Sequence, residues 1–316
     1  MDVSIVIPLY NERESLEPLV KWIDRVVKAA SLSHEIILVD DGSKDDSWEV
    51  IRKLQASYAA ILGIKFRRNY GKAAALHCGF DKAQGEVVIT MDADLQDSPD
   101  EIPELVRMIR EDGYDLVSGW KKKRYDPIGK RWPSKFFNFV AQMISGIKLH
   151  DFNCGLKAYR SIVVKSIEIY GDMHRYIPIL AKRAGFSSIG EKVVQHQERQ
   201  FGATKYGLRR YINGPLDLLT ISFITRFAKK PMHFFGTLGM LMMLIGGFLT
   251  AWIIGVKIHA IATHISAIRG VTDQPAFFLA LLMVIIGVQL FLTGFLGELI
   301  SRSSNDRNVY LIEEEL

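Results

Sequence analysis

The chain has 316 residues, 40 Lys+Arg against 35 Asp+Glu, a formal net charge of +5 and only two cysteines. A chain of that length buries a full core without disulfides, which excludes a disulfide-stapled scaffold and a cysteine-rich zinc module. Charged residues at 24% are ordinary for a folded protein, yet the mean hydropathy is +0.10, so apolar residues must be concentrated somewhere.

The first 120 residues alternate strand and helix patterns. Val3–Pro8 is a short apolar run, and Leu16, Leu19, Ile23, Val26 and Val27 give helical spacing over Ser15–Ala30. Glu35–Asp40 reads as a buried strand, and Asp46 is placed to cap a helix over Ser47–Ser57. Ile61–Phe66 is a third strand, Lys72–Ala83 an Ala-rich helix and Val87–Asp92 a fourth strand. Pro99 suits a helix first turn ahead of Asp100–Glu111, and Asp115–Gly119 is a fifth strand. Apolar strands joined by helices predict a parallel sheet covered on both faces, with ligands at the carboxyl ends of the strands. Met1-Asp2 leads straight into the first run with no basic or apolar leader, so no signal peptide is expected.

Beyond residue 120 the pattern changes. Lys121, Lys122, Lys123, Arg124, Lys130, Arg131 and Lys135 face only Asp126, so this stretch alone exceeds the net charge of the chain. Phe136, Phe137, Phe139, Val140, Met143 and Ile144 follow at helical spacing. A second such segment runs from Tyr206 to Lys230. Each reads either as a helix lying on anionic lipid or as an ordinary core-facing helix. Met232–Val256 and Ala276–Gly297 hold no Asp, Glu, Lys or Arg, and each exceeds the ~20 residues that cross a bilayer core. Lys229, Lys230, Arg302 and Arg307 flank this pair, which predicts a hairpin with residues 1–230 on the cytoplasmic side.

Carboxylates stand at two strand ends. Asp40-Asp41-Gly42-Ser43 closes the second strand and Asp92-Ala93-Asp94-Leu95-Gln96 the fourth. Unpaired charge is too costly for sheet core, so these groups belong at the ligand edge. Two carboxylates one residue apart offer hard oxygen ligands to Mg²⁺ or Mn²⁺ and to a diphosphate carried by the ion.

VSIVIPLYNE (3–12), LVDDGSKDDS (38–47), RNYGKAAALHCGF (68–80) and MDADLQDSPDEIPEL (91–105) resemble the nucleotide-sugar half of family-2 glycosyltransferases of the GT-A fold. DFNCGLKAYR (151–160), ERQFGATKY (198–206) and the two apolar spans narrow the resemblance to polyprenyl-phosphate glycosyltransferases: dolichol-phosphate mannose synthases, bactoprenol glucosyltransferases and the aminoarabinose transferase. The resemblance implies an α/β GT-A domain with amphipathic interface helices and a C-terminal two-helix transmembrane hairpin. It divides the chain into a nucleotide-sugar half (1–120), an acceptor-binding part (121–230), two spans (about 232–256 and 276–300) and a cytoplasmic tail (301–316).

The same resemblance implies site roles. Pro8, Tyr10, Glu12 and Asp40 would line the nucleoside pocket, while Asp92, Asp94 and Gln96 would hold Mg²⁺ or Mn²⁺ and the diphosphate. Lys121, Arg131 and Ser134 would bind the acceptor phosphate; Lys121 stands where some relatives carry arginine, and it binds as a point charge without the guanidinium fork. Arg199 and Lys205, beside Gly202 and Thr204, would contact donor or acceptor phosphate. Asp94 and Asp151 are the catalytic candidates, Asp151 as base or as a group positioning the acceptor. Asp41 and Ser43 either line the donor pocket or support its turn. Lys72 either approaches the donor or is a solvated helix start, and His174 reads as structural beside an Arg175 able to touch phosphate.

The implied activity is metal-dependent, inverting transfer of one sugar from a UDP- or GDP-linked donor to polyprenyl (undecaprenyl) phosphate. It would act at the cytoplasmic face of a bacterial inner membrane, with membrane lipids and a homo-oligomer such as a tetramer as partners and no nucleic acid. The alternatives are a processive polysaccharide synthase and a noncatalytic lipid-binding or flippase-partner protein. The synthase pattern Q-x-x-R-W is broken here, because Ile128 precedes Arg131-Trp132 where Gln is required.

Overall fold

Unbroken apolar runs make the central strands. In β1 (Val3–Leu9) every residue is buried, and β2 (His34–Asp40) and β4 (Val87–Thr90) are buried almost throughout. The computed structural model describes residues 1–122, 138–143, 145–169, 171, 173–197, 223, 227, 230–264 and 269–303. The chain divides into two compact units, Met1–Ile221 and Ser222–Leu316.

In the first unit, helices separate the strands: α1 (Arg13–Ala29), α2 (Ser47–Ser57), α3 (Lys72–Lys82) and α4 (Ile102–Arg110) lie between β1, β2, β3 (Ile61–Lys65), β4 and β5 (Leu116–Trp120). Pro99–Glu101 forms a 3-10 turn ahead of α4. β6 (Lys157–Arg160), α5 (Ser161–Lys165), α6 (Ile177–Arg183) and β7 (Ile189–Val193) follow.

The sheet has seven strands in the order β3-β2-β1-β4-β6-β5-β7. Side chains alternate across it. Ile5, Ile7, Leu38 and Ile89 pack with Leu16, Leu19, Ile23 and Leu105 on one face. Val6, Ile37, Val39 and Val88 pack with Leu76, Phe80 and Val163 on the other. Both faces are therefore covered, as the sequence predicts.

The sheet is not wholly parallel, however. β6 runs antiparallel to both β4 and β5, while β7 is parallel to β5. An antiparallel neighbour needs no crossover to the far end of the sheet. The connection from β5 to β6 therefore returns to the carboxyl edge, where β1, β2 and β4 also end. This brings residues 151–156 to the same edge as Asp92.

The predicted cap of α2 also shifts by one residue. Asp46 makes no side-chain cap bond; Asp45 Oδ1 instead accepts from the Ser47 amide at 3.0 Å. Of the predicted interfacial helices, residues 138–143 are helical, with Phe139 and Met143 exposed one turn apart and Ala141 buried. Phe136, Phe137 and Ile144 lie outside the described residues, as does most of 206–230.

Among its described residues the second unit contains two helices long and apolar enough to cross a membrane, α7 (Pro231–Ala262) and α8 (Pro275–Ser303). Large apolar side chains such as Leu244, Phe248, Trp252, Leu282 and Leu296 are exposed on them, which is unlike the buried helices of a soluble core. Their contact is a seam rich in small residues. Gly239, Gly246, Ile253 and Ala260 are buried at a heptad interval on α7. A Cβ on Gly239 would lie 2.6 Å from the Gly287 carbonyl oxygen, and one on Gly246 would lie 2.6 Å from that of Ala280. The backbones thus approach as closely as glycine allows. Gly246→Leu should force α7 and α8 apart. A Leu at exposed Gly247, which has nothing within 4 Å, should not. Thermal unfolding of the detergent-solubilised protein, followed by tryptophan fluorescence, checks the difference.

Candidate active site

Three loops form the carboxyl edge, and hydrogen bonds tie the first two together. The β1–α1 turn contains Asn11 in the left-handed region at φ 52, where asparagine is among the few residues readily accommodated. The Asn11 amide donates to Ser43 Oγ at 2.8 Å, Asn11 Oδ1 accepts from the Lys44 amide at 2.8 Å, and the Glu12 amide donates to Ser47 Oγ at 2.9 Å. Tyr10 and Glu12 are thereby held beside the end of β2. Pro8 is buried within β1, paired with Val39.

Asp40 is fully buried at the end of β2. Its Oδ1 accepts from the Ser43 amide at 2.8 Å, and Oδ2 has no hydrogen-bond partner among the described residues. A buried acceptor left unmatched is costly, so this oxygen is the natural anchor for a donor carried by a ligand.

Asp41 has a different task. Its two oxygens accept from the amides of Tyr70 at 2.6 Å and Gly71 at 2.9 Å. Burial pushes its carboxyl up, neighbouring Asp40 adds to this, and the two amide bonds oppose it. Gly42, at φ +72, lies so close beneath this loop that a Cβ would stand 2.5 Å from the Arg68 carbonyl carbon. Asp41, Gly42 and Ser43 therefore build the turn, and Asp41 pins the β3–α3 loop, a supporting task of the kind the sequence offered as one alternative.

The third loop follows β4. Leu95 takes a positive φ of 59, a strained conformation for such a side chain, and the Gln96 amide donates to Asp94 Oδ1 at 3.2 Å. Gln96 also accepts, through its carbonyl, from the Gln197 amide at 2.9 Å. Asp94 is buried. The Asp92 carboxylate lies against Gly155, where a Cβ would come within 2.5 Å of Oδ2, and Gly155 is itself tied to β4 by a Thr90 Oγ1 bond of 2.8 Å to its carbonyl. Lys72 Nζ donates to Asp92 Oδ1. Burial would raise the Asp92 carboxyl, but the charges of Lys72 and Lys121 overcome it and hold the group at about 2. Asp92 is therefore a carboxylate throughout the neutral range. An ionised oxygen pair, seated in a cradle that any side chain at 155 would fill, fits a hard divalent cation. Among the described residues no three His, Cys, Asp or Glu side chains converge.

Two expected residues have partners inside the protein. Lys121 Nζ lies 2.6 Å from Oδ1 of the fully buried Asp97. Burial disfavours its charge, yet Asp97, Cys154 and Asp92 raise its pKa above the usual lysine value. Asp151 is also buried; its Oδ1 accepts from the Asn153 amide at 3.0 Å and its own amide donates to Glu191 Oε1 at 3.1 Å. That is the bonding of a turn former. Arg131, Ser134, Arg199 and Lys205, with Gly202 and Thr204, lie outside the described residues.

Lys72 and Gly155, the two neighbours of Asp92, also line a small cavity with Asn153, Lys157, His174 and Arg175, among others. Burial, then Lys72, Arg175 and Lys157, depress His174 well below the ordinary histidine value, so its ring is neutral. Lys157 was not singled out by the sequence. It is buried, its Nζ donates to the Cys154 carbonyl, and burial lowers its pKa. In DFNCGLKAYR it stands among Leu156, Ala158, Tyr159 and Arg160, a mixed pattern that does not tell a buried lysine from an exposed one.

Residues 4–167 match the family described as Glycosyl transferase family 2. The chain is 36% identical over 313 residues to the dodecaprenyl-phosphate galacturonate synthase of Rhizobium johnstonii, covering 96% of this chain and 88% of that one. It is 37% identical over 305 residues to the undecaprenyl-phosphate 4-deoxy-4-formamido-L-arabinose transferase of Pseudomonas syringae pv. syringae, covering 96% and 87%. Among solved structures it is similar to mannosyl-3-phosphoglycerate synthase from Rubrobacter xylanophilus, with a TM-score of 0.54 and 18% identity over 70% of this chain and 73% of that one. It is also similar to glucosyl-3-phosphoglycerate synthase from Mycobacterium tuberculosis in complex with Mn²⁺ and UDP-glucose, with a TM-score of 0.52 and 20% identity over 71% and 78%. At such identities the structural likeness speaks for the fold alone, a mixed α/β sheet of the GT-A type.

Asp41→Ala would leave the Tyr70 and Gly71 amides without their acceptor. It should cost about 2 kcal/mol, by the usual penalty for orphaned donors. Chemical unfolding of the protein, compared with Asp45→Ala at the partly exposed cap of α2, checks this; equal losses would contradict the pinning role.

Proposed function

The chain belongs to glycosyl transferase family 2, and from that premise we propose that it transfers one sugar from a nucleotide-sugar donor to a polyprenyl phosphate, inverting the anomeric centre, at the cytoplasmic face of a membrane. The observation that carries this reading is the extent of the likeness: identity to transferases named for dodecaprenyl and undecaprenyl phosphate runs over 96% of the chain, apolar helices included.

The donor end is read from the carboxyl edge. Asp40 Oδ2 accepts from the base or ribose, with Pro8, Tyr10 and Glu12 completing the nucleoside pocket. Asp92, Asp94 and Gln96 hold Mg²⁺ or Mn²⁺ with the diphosphate. A divalent cation bound there supplies charge neutralisation for the departing nucleoside diphosphate.

The acceptor is its own nucleophile. A phosphate monoester has a second pKa near ~6, so much of it is dianionic at neutral pH and needs little help from a base. Its oxygen attacks the anomeric carbon as the bond to the diphosphate breaks, and a single displacement inverts the centre. Lys121, Arg131 and Ser134 receive the acceptor phosphate, with Lys121 exchanging Asp97 for it. Arg199 and Lys205 add cationic contacts. Asp151 positions the acceptor through its turn rather than serving as base.

Two spans leave residues 1–230 and the tail on one side, and the flanking Lys229, Lys230, Arg302 and Arg307 make that side cytoplasmic. The test is a purified-protein assay with a panel of UDP- and GDP-sugars, undecaprenyl phosphate and Mn²⁺ or Mg²⁺. A single monoglycosyl phospholipid is expected. Its formation should fall at least ~100-fold in Asp94→Asn, the scale on which losing a charge-stabilising group usually acts, and should stop with chelator. Polymer as product, or undiminished transfer in chelator, would overturn the reading.

A further inference from the structure

Asp92 already carries a cation. Lys72 Nζ is bonded to its Oδ1, at the residue that opens α3. The joint before it is open: Gly71 has φ +99, and nothing lies within 4 Å of where its Cβ would be. On its far side Lys72 meets the cavity shared with Lys157, His174 and Arg175. His174 is neutral, and neither Lys157 nor Arg175 offers Lys72 a counter-charge. Retreat into the cavity would bring Lys72 towards like charge, whereas Asp92 offers it the opposite charge.

A divalent cation on Asp92 would stand beside this ammonium. Charges of the same sign a few ångströms apart repel, and more so in this part-buried place than in open water. We propose that Lys72 is a tethered counter-cation that occupies Asp92 and competes with the metal, so that metal alone binds weakly and binds well only when an anionic diphosphate arrives to compensate both cations. This makes Lys72 a positioning residue that imposes order on loading: the ion enters with the donor rather than ahead of it. The inference rests on the reading of Asp92 and Asp94 as metal holders.

The test is a titration of the full-length, detergent-solubilised chain with Mn²⁺, in which free Mn²⁺ is followed by electron paramagnetic resonance. Without nucleotide, Lys72→Met and Lys72→Gln should each bind Mn²⁺ about tenfold more tightly than the wild type, a difference of ~1.4 kcal/mol. Lys72→Arg, which keeps the charge, should stay weak. With UDP or GDP present, the advantage of the neutral variants should shrink. Tighter binding cannot come from a misfolded chain, and Asp94→Asn identifies the site by abolishing it. Mn²⁺ binding that needs Asp94 but is no tighter in either neutral variant would overturn the competition and leave the metal site standing. Absence of Asp94-dependent Mn²⁺ binding in every protein, with and without nucleotide, would overturn the metal reading and this inference together.

Discussion

An ionised carboxylate at the end of a buried strand must be compensated, and Asp92 is where this protein meets that demand. β4 is wholly buried, so the chain leaves the apolar interior and presents charge within two residues. Lys72 arrives from α3, Lys121 from beyond β5, and Gly155 makes room from the connection into β6. Each of these segments is fixed by its own part of the sheet. The strand order β1-β4-β6-β5 is therefore what assembles the charge cluster. The same demand arises at β2, where Asp41 spends both oxygens on holding a loop and Asp40 has one oxygen bonded to its turn and one without a hydrogen-bond partner among the described residues.

Much of the fold was legible because burial writes itself into local composition. β1, β2 and β4 are continuous apolar runs, α1 has an apolar stripe at helical spacing, and α7 and α8 are too apolar to be anything but buried or in lipid. β6 and β7 were not legible. Lys-Ala-Tyr-Arg and Ile-Gly-Glu-Lys-Val carry charge and are short, and they become strands only because β4 and β5 offer pairing edges. The antiparallel insertion follows from those long-range pairings, which no local period records.

The site divides the same way. Asp40, Asp92 and Asp94 could be picked out, since carboxylates after apolar runs have no business in a core. Their partners could not. The pairings of Lys72 with Asp92 and of Lys121 with Asp97 span 20 and 24 residues of chain, and each changes what the residue is free to do. A lysine read as awaiting a phosphate turns out to be held already by a buried aspartate. The shift of the α2 cap from Asp46 to Asp45 is the same lesson at short range: several acidic residues fit a pattern, and backbone geometry selects one.

The account turns on a donor metal seated on the β4 carboxylates. Its most direct test is the anomalous signal at the manganese edge from crystals of this protein grown with Mn²⁺ and UDP or GDP. The account predicts one strong peak against Asp92 and Asp94, next to the diphosphate, with Lys72 moved off Asp92. A bound nucleotide with no peak there, or a peak held by other residues, would contradict it.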